Sequence, residues 1–222
     1  GGWGASSGEW KAMVADEAAR TTFAKNIKTV LEKNKLDGID LDFEWAENEK
    51  EYKDYSLAIL KMREVLGDKY LFSVSLHPVC YKISKEAIEA VDFISLQCYG
   101  PSPVRFPIEK YCSDIQMVLE YGIPKEKLVA GVPFYGVTKD NSKKTEAYFN
   151  FVQNGLVTSP AQNEVIYQGD TYVFDGQDNI RIKTRYAKEQ KLKGMMSWDL
   201  ATDLPLSDSR SLLKTMTEEL RE

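Results

Sequence analysis

The chain has 222 residues, 43% hydrophobic and 28% charged, a globular balance that excludes a disordered tail, a collagen-like fibre and a disulfide miniprotein. Lys plus Arg number 29 against 34 Asp plus Glu, a formal net charge of −5. A mildly acidic chain lacks the clustered basic surface that phosphate contacts need, so no nucleic-acid partner is expected; with no apolar run near roughly 20 residues, no membrane span is expected either.

The chain opens on Gly1-Gly2-Trp3-Gly4, with no charged and apolar leader visible ahead of it. Helical spacing of Phe23, Ile27, Val30 and Leu31 predicts a helix from about Ala15 to Lys33. A strand follows from Leu36 to Trp45, then a helix from Glu49 to Leu66 with Tyr52, Tyr55, Ile59, Met62 and Leu66 on one face. Tyr70–Leu76 reads as a strand, Ser84–Ala90 as a short helix with Ser84 at its N-cap, and Val91–Tyr99 as a strand. Pro107–Tyr121 is a helix ended by Gly122, and Leu128–Val132 a strand leading into Pro133-Phe134-Tyr135-Gly136. An excursion at about 137–176 contains a hairpin, Val165–Gln168 and Tyr172–Phe174, turning through Gly169-Asp170. A helix from Gln177 to Lys191, a strand from Gly194 to Trp198 and a helix from Ser209 to Leu220 complete the chain.

Strands that alternate with helices imply right-handed βαβ units and a parallel sheet. Five such strands are read, whereas a closed α/β TIM (β/α)8 barrel needs eight and usually about 250 residues. The other three are expected before Gly1. An open doubly wound sheet is the alternative, but no Gly-rich phosphate loop follows a first strand. Residues 1–222 are thus read as one N-terminally truncated barrel domain with a small insertion at about 137–176.

Cys80, Cys98 and Cys112 are odd in number and lack CxxC spacing, which makes a zinc site a poor expectation. Cys98 lies between Gln97 and Tyr99 and is expected to face the helices as a buried thiol. His77 is the only histidine, so no multi-histidine metal site exists; it ends a strand before Pro78 and is expected at the rim as a satisfied histidine.

The most informative stretch is Asp37-Gly38-Ile39-Asp40-Leu41-Asp42-Phe43-Glu44-Trp45. Period-two alternation puts Asp40, Asp42 and Glu44 on one face and Ile39, Leu41 and Phe43 on the other. In a barrel the apolar set packs on the helices and the acidic set points inward. Three inward carboxylates repel one another unless some are protonated or hydrogen-bonded. A solvated charge run would not need this wholly apolar opposite face. The carboxylates could hold a divalent cation through oxygen ligands, or do acid–base chemistry, with a Glu at the strand end raised in pKa by burial and like charge.

Asp37–Glu44 resembles the DGxDxDxE signature of glycoside hydrolase family 18, the chitinases and their relatives. Gly1-Gly2-Trp3 is similar to the end of that family's third barrel strand, and Leu96-Gln97-Cys98-Tyr99 to its sixth. Gly131–Gly136 is similar to the seventh, and Met196-Ser197-Trp198-Asp199 to the eighth. The resemblance implies a TIM barrel of which about strands four to eight are in this chain. It implies a glycosidase that cleaves β-1,4 bonds next to N-acetylglucosamine with retention, the substrate's own acetamido oxygen acting as nucleophile.

Carried over by motif, Glu44 is the general acid and then the base for water. Asp42 holds the acetamido N–H, and Asp40 shares a proton with Asp42. Tyr99 orients the acetamido oxygen, and Trp198 floors the subsite of the reacting sugar. Gln97, Trp3 and Tyr135 line the binding cleft. No metal or cofactor is implied; the expected partner is an N-acetylglucosamine-containing oligosaccharide or polysaccharide, met in a secreted, periplasmic or cell-surface setting. Gly100 stands where many chitinases carry an acid, and Val137 where many carry an arginine. Gln-x-Tyr occurs both in plant-type chitinases and in endo-β-N-acetylglucosaminidases that trim N-glycans. Chitin and N-glycans therefore both stand as substrates, beside an inactive sugar-binding relative, which would usually lack the terminal Glu.

Overall fold

The structure, a computed structural model, describes residues 7–221. The chain divides into two compact units: one runs through Leu96 and adds Val118–Leu128, the other takes Gln97–Met117 and all from Val129.

In the first unit helices and strands alternate as α1 (Ser7–Ala15), α2 (Glu17–Asn34), β1 (Gly38–Asp42), α3 (Glu49–Leu66), β2 (Leu71–Leu76), α4 (Lys85–Ala90) and β3 (Phe93–Leu96). The three strands are parallel, with Gly38 opposite Leu71, Asp42 opposite Ser75 and Leu76 opposite Leu96. Gly38 is required by this approach: a Cβ there would stand 2.1 Å from the Leu71 carbonyl oxygen.

The sequence predicts no helix before Ala15, yet α1 is helical. Asp16 separates it from α2, its extended backbone (φ −98, ψ 128) breaking the run while its carboxylate accepts from the Ala19 N–H at 2.7 Å. Trp10 of α1 packs edge-on to Phe23 at 5.3 Å and lies 6.1 Å from Phe43. Helix α3 has the expected bounds. Asn48 caps it through the Glu51 N–H at 3.0 Å, and Gly67 ends it at φ 62.

β1 is shorter than predicted because the Leu36 N–H closes the end of α2 on the Leu31 carbonyl at 3.0 Å. Its alternation is as expected: Leu41 and Phe43 are 2% and 1% exposed, and the Phe43 ring lies 4.9 Å from that of buried Tyr55. Each such side chain contributes about 1.5–3 kcal/mol by leaving water. The buried Tyr55 hydroxyl is satisfied by the Leu41 carbonyl at 3.0 Å.

Helix α5 (Ile108–Tyr121) follows β3 after a 3-10 turn at Pro103–Arg105. In the second unit β4 (Leu128–Pro133) and β9 (Gly194–Trp198) are parallel, with Pro133 opposite Trp198. The five expected parallel strands therefore exist, three in one unit and two in the other.

The excursion is more than the predicted hairpin. It comprises β5 (Tyr135–Thr138), β6 (Thr145–Ala147), α6 (Tyr148–Gln153), β7 (Glu164–Tyr167) and β8 (Asp170–Val173), the strands forming an antiparallel sheet of order β6-β5-β8-β7. Its aromatic core centres on Phe151, whose ring lies 5.4 Å from Phe174 and 5.5 Å from Tyr172. The hairpin turns at Gln168-Gly169, both at positive φ (51 and 88), one residue earlier than expected.

α7 (Gln177–Glu189) and α8 (Leu212–Arg221) pack together. α8 begins later than the expected Ser209. Ser211 accepts from the Lys214 N–H at 3.1 Å, and Asp203 accepts from the N–H groups of Leu212 and Leu213. Lys183 of α7 is fully buried and pairs with buried Asp175 at 2.6 Å. No helix of the described residues is long and apolar enough to cross a membrane.

Candidate active site

The acidic set sits where β1 runs out. Asp40 and Asp42 are strand residues, and Glu44 follows two positions beyond the last ladder pair. Burial is the first cause that raises the Asp42 pKa, from 3.8 to about 7; the charges of Glu44 and Asp40 and a hydrogen bond with Glu44 add to it. Asp42 thus keeps a proton to near neutrality and shares it with Glu44.

Asp40 is placed differently. Ser73 Oγ donates to its Oδ1 at 2.5 Å and Ser75 Oγ to its Oδ2 at 2.7 Å. Both donors come from β2, whose register sets Ser73 opposite Asp40 and Ser75 opposite Asp42. The sequence reading missed these serines. Their signal was the Ser73-Val74-Ser75 alternation, legible only once β2 is paired in register with β1.

Beyond Glu44 the chain is held from two sides by the turn that ends β2. His77 and Cys80 bridge through their backbones, and the Cys80 sulfur accepts from the Ala46 N–H at 3.2 Å. Burial pushes the Cys80 thiol up, so it stays protonated. The His77 ring lies 4.7 Å from Trp45, edge-on, and its Nδ1 accepts from the Val79 N–H at 3.2 Å. His77 is buried and engaged, as a satisfied rim histidine should be.

The second unit carries the other candidates. Tyr99 follows the end of β3, is buried, and donates to the Met196 sulfur at 3.6 Å. Tyr135 is half-buried; its ring meets Tyr99 edge-on at 6.4 Å and its hydroxyl donates to the Gly100 carbonyl at 3.2 Å. Gln97 is buried. Trp198 closes β9 with its side chain open, 56% exposed, while its carbonyl accepts from the Phe134 N–H at 2.8 Å. Asp199, next in the chain, caps the following turn through the Ala201 N–H at 2.8 Å. Cys98 is buried as expected, and burial raises its thiol far above the ordinary range. Cys80, Cys98 and Cys112 are all free thiols. Trp3 lies outside the described residues.

The structure therefore brings Asp40, Asp42 and Glu44 together in one unit, and Tyr99 with Tyr135 and Met196 in the other. Within the first unit, a proton-retaining carboxyl beside Glu44 at the end of a strand is suited to acid–base work.

The comparisons with known proteins agree with this chemistry. The family model for glycosyl hydrolases family 18 matches residues 1–203. "Probable chitinase 2" of Drosophila melanogaster is 24% identical over 91% of this chain and 55% of its own length. The family 18 chitinase ChiB of Flavobacterium johnsoniae is 27% identical, with a TM-score of 0.81 over 99% of this chain and 72% of that one. A plant class V chitinase mutant from Cycas revoluta, solved with (GlcNAc)3, is 18% identical with a TM-score of 0.83, over 99% of this chain and 78% of that one. The chain spans about half the length of the Drosophila relative. These likenesses place its five parallel strands within the TIM barrel of such enzymes, and the chain belongs to glycosyl hydrolases family 18.

Proposed function

We propose that this chain carries the catalytic carboxylates of a retaining glycosidase that cleaves β-1,4 bonds next to N-acetylglucosamine, in chitin or chitooligosaccharides. The observation that carries the reading is Asp42, protonated to about pH 7 and hydrogen-bonded to Glu44 at the end of β1. In the proposed reaction Glu44 protonates the leaving oxygen. The acetamido oxygen of the sugar attacks the anomeric carbon, and the glycosidic bond breaks toward the protonated oxygen. Asp42 holds the acetamido N–H and steadies the cationic oxazolinium ring. Glu44, now a carboxylate, takes a proton from water, whose oxygen opens that ring with net retention.

Tyr99 is given the role of orienting the acetamido oxygen, and Trp198 that of stacking on sugar C–H bonds. Gln97, Tyr135 and Trp3 are given the lining of the binding cleft. Asp40 is given the tuning of Asp42. The whole is read as one barrel domain with the β5–β8 sheet as its insertion. Insoluble chitin implies work outside the cytoplasm, so secretion or surface display is proposed with it.

A second substrate class is favoured by Gln97-Cys98-Tyr99-Gly100, which lacks an acid after the tyrosine. That pattern also suits release of N-glycans. Mass spectrometry of products from chitooligosaccharides and from a high-mannose glycoprotein separates the two. Shortened chitooligosaccharides are expected. Released glycans alone would move the assignment to N-glycans, and binding without any cleavage would overturn the enzymatic reading.

A further inference from the structure

The second unit holds an open groove of about 310 Å³ that has no part in the chemistry just described. It lies between the 3-10 turn ahead of α5, the paired ends of β7 and β8, and the first turn of α7. Phe106 and Phe174, 5% and 1% exposed, form its base; Pro103, Asn163 and Asn179 are half-buried, and Glu164 stands exposed at the rim. Ligand pockets run from roughly 300 to 1,000 Å³, so this one suits a single ring rather than a chain of them.

The amides of the groove are fixed from behind. Asn163 Oδ1 accepts from the Gly176 N–H at 2.8 Å, and its Nδ2 donates to the Ala161 carbonyl at 3.0 Å. Asn179 Nδ2 donates to Oδ1 of Asp175 at 3.2 Å, and the other oxygen of Asp175 takes the Lys183 ammonium at 2.6 Å. The Asp175 and Lys183 side chains are fully buried, and burying an ion pair brings little stability by itself. Here the pair orients Asn179. A side-chain amide has two N–H groups and two carbonyl lone pairs, so Asn179 keeps one N–H and its Oδ1 for a ligand. Glu164 gives one oxygen to Lys139 at 2.6 Å and keeps the other. No lysine or arginine lines the groove and its one charge is negative, which suits an uncharged ligand and not an anion.

We propose that this groove binds one N-acetylglucosamine unit without taking part in its cleavage. An acetamido group has one donor, one acceptor and one methyl. Asn179 offers the matching acceptor and donor, Phe106 and Pro103 the apolar contact, and Glu164 an acceptor for a ring hydroxyl. The Phe106 ring meets Tyr135 edge-on at 6.4 Å, and Tyr135 meets Tyr99 at the same distance. Two aromatic contacts thus join the groove to the residue given the acetamido group of the reacting sugar. The aminosugar identity rests on the proposed glycosidase; the groove and its held amides stand without it.

The test is a titration of the whole chain with N-acetylglucosamine, followed on the side-chain amide NMR signals of Asn163 and Asn179. A single ring held at ordinary ligand efficiency gives a Kd of about 1 mM. Saturable shifts of both amides are expected, with glucose, which lacks the acetamido group, bound at least about tenfold more weakly. Asn179→Ala should weaken binding about tenfold, read on Asn163. Glu164→Gln, at the exposed rim where folding is not at stake, should weaken it about threefold, read on both amides. Unmoved amides or an equal response to glucose overturn the proposal. Shifts of Asn163 that survive Asn179→Ala unchanged come from a sugar bound elsewhere and overturn it too. Chitooligosaccharide cleavage is measured on the same protein. Cleavage with unmoved amides removes the groove and leaves the glycosidase; shifted amides without cleavage keep the sugar site and remove the glycosidase.

Discussion

Asp42→Asn should make the protein more stable at neutral pH, and the gain should vanish in acid. The folded state holds the Asp42 proton to about pH 7, whereas an unfolded aspartate releases it at its ordinary 3.8. Below the lower value both states are protonated and the group is neutral in its effect. Between the two values the folded chain keeps a proton that the unfolded chain has lost, so stability falls as pH rises. Above about 7 both are ionised, and the folded state carries the full cost of a half-buried charge beside Asp40 and Glu44. A rise of about three pH units corresponds to about 4 kcal/mol, and water reaching the half-buried carboxyl reduces that to about 2. Asparagine keeps the shape and has no charge to lose. Urea unfolding of wild type and variant at pH values from about 4 to about 8 should give curves that meet at the acid end and part by about 2 kcal/mol at the other. Parallel curves across that range would show that Asp42 ionises as an ordinary surface aspartate, and the proton-sharing account of the acidic set would fall.

Glu44→Gln removes the proposed proton donor without changing size, so cleavage should drop by at least about a hundredfold while calorimetry still detects chitooligosaccharide binding. Near-normal turnover in that variant would remove Glu44 from the acid role. A thiazoline analogue of an N-acetylglucosamine oligomer should inhibit competitively, because it resembles the bound ring intermediate, and cello-oligosaccharides should not be cleaved; their cleavage at a comparable rate would exclude an acetamido nucleophile. Gly38→Ala should lower the melting temperature by the equivalent of about 1–3 kcal/mol, since its Cβ would fall 2.1 Å from the Leu71 carbonyl oxygen and β1 must move off β2. An unchanged melting temperature would contradict the β1–β2 register.

Elements whose causes are local were legible in the sequence. α3 has a stripe of apolar residues, an asparagine cap and a terminal glycine, all within the segment itself, and its bounds follow from them. The two faces of β1 follow from alternation alone. What was missed depends on partners far along the chain. Strands of three or four residues, such as β5 and β6, have too little length to show a period and exist because they pair with each other and with β8. Ser73 and Ser75 are two ordinary strand serines until the parallel register brings them against Asp40. The start of α2 lies within two residues of the expected Ala15, and what the sequence did not show is α1, the nine-residue helix ahead of it. The sequence predicts a raised proton affinity for Glu44; the structure shows one on Asp42, which has a carboxylate on either side.

The opposite rim of the first unit is built on attraction. Arg63 reaches the carbonyls of Ala90, Gly67 and Tyr70 and the Asp92 carboxylate, and Lys127 collects three more carbonyls, from Ile88, Glu89 and Val91, where α4 ends. Positive side chains on the negative ends of helices are favourable, just as three acids crowded at the end of a strand are not. The unit is thus polarised along its strands: the rim that anchors lies at the strands' beginnings and the rim that carries the acidic set at their ends. Changes meant to harden the molecule against heat belong around Arg63 and Lys127, where they leave the proton of Asp42 untouched. Changes meant to redirect its chemistry belong at the other rim, where relief of repulsion will tend to raise stability as activity is lost.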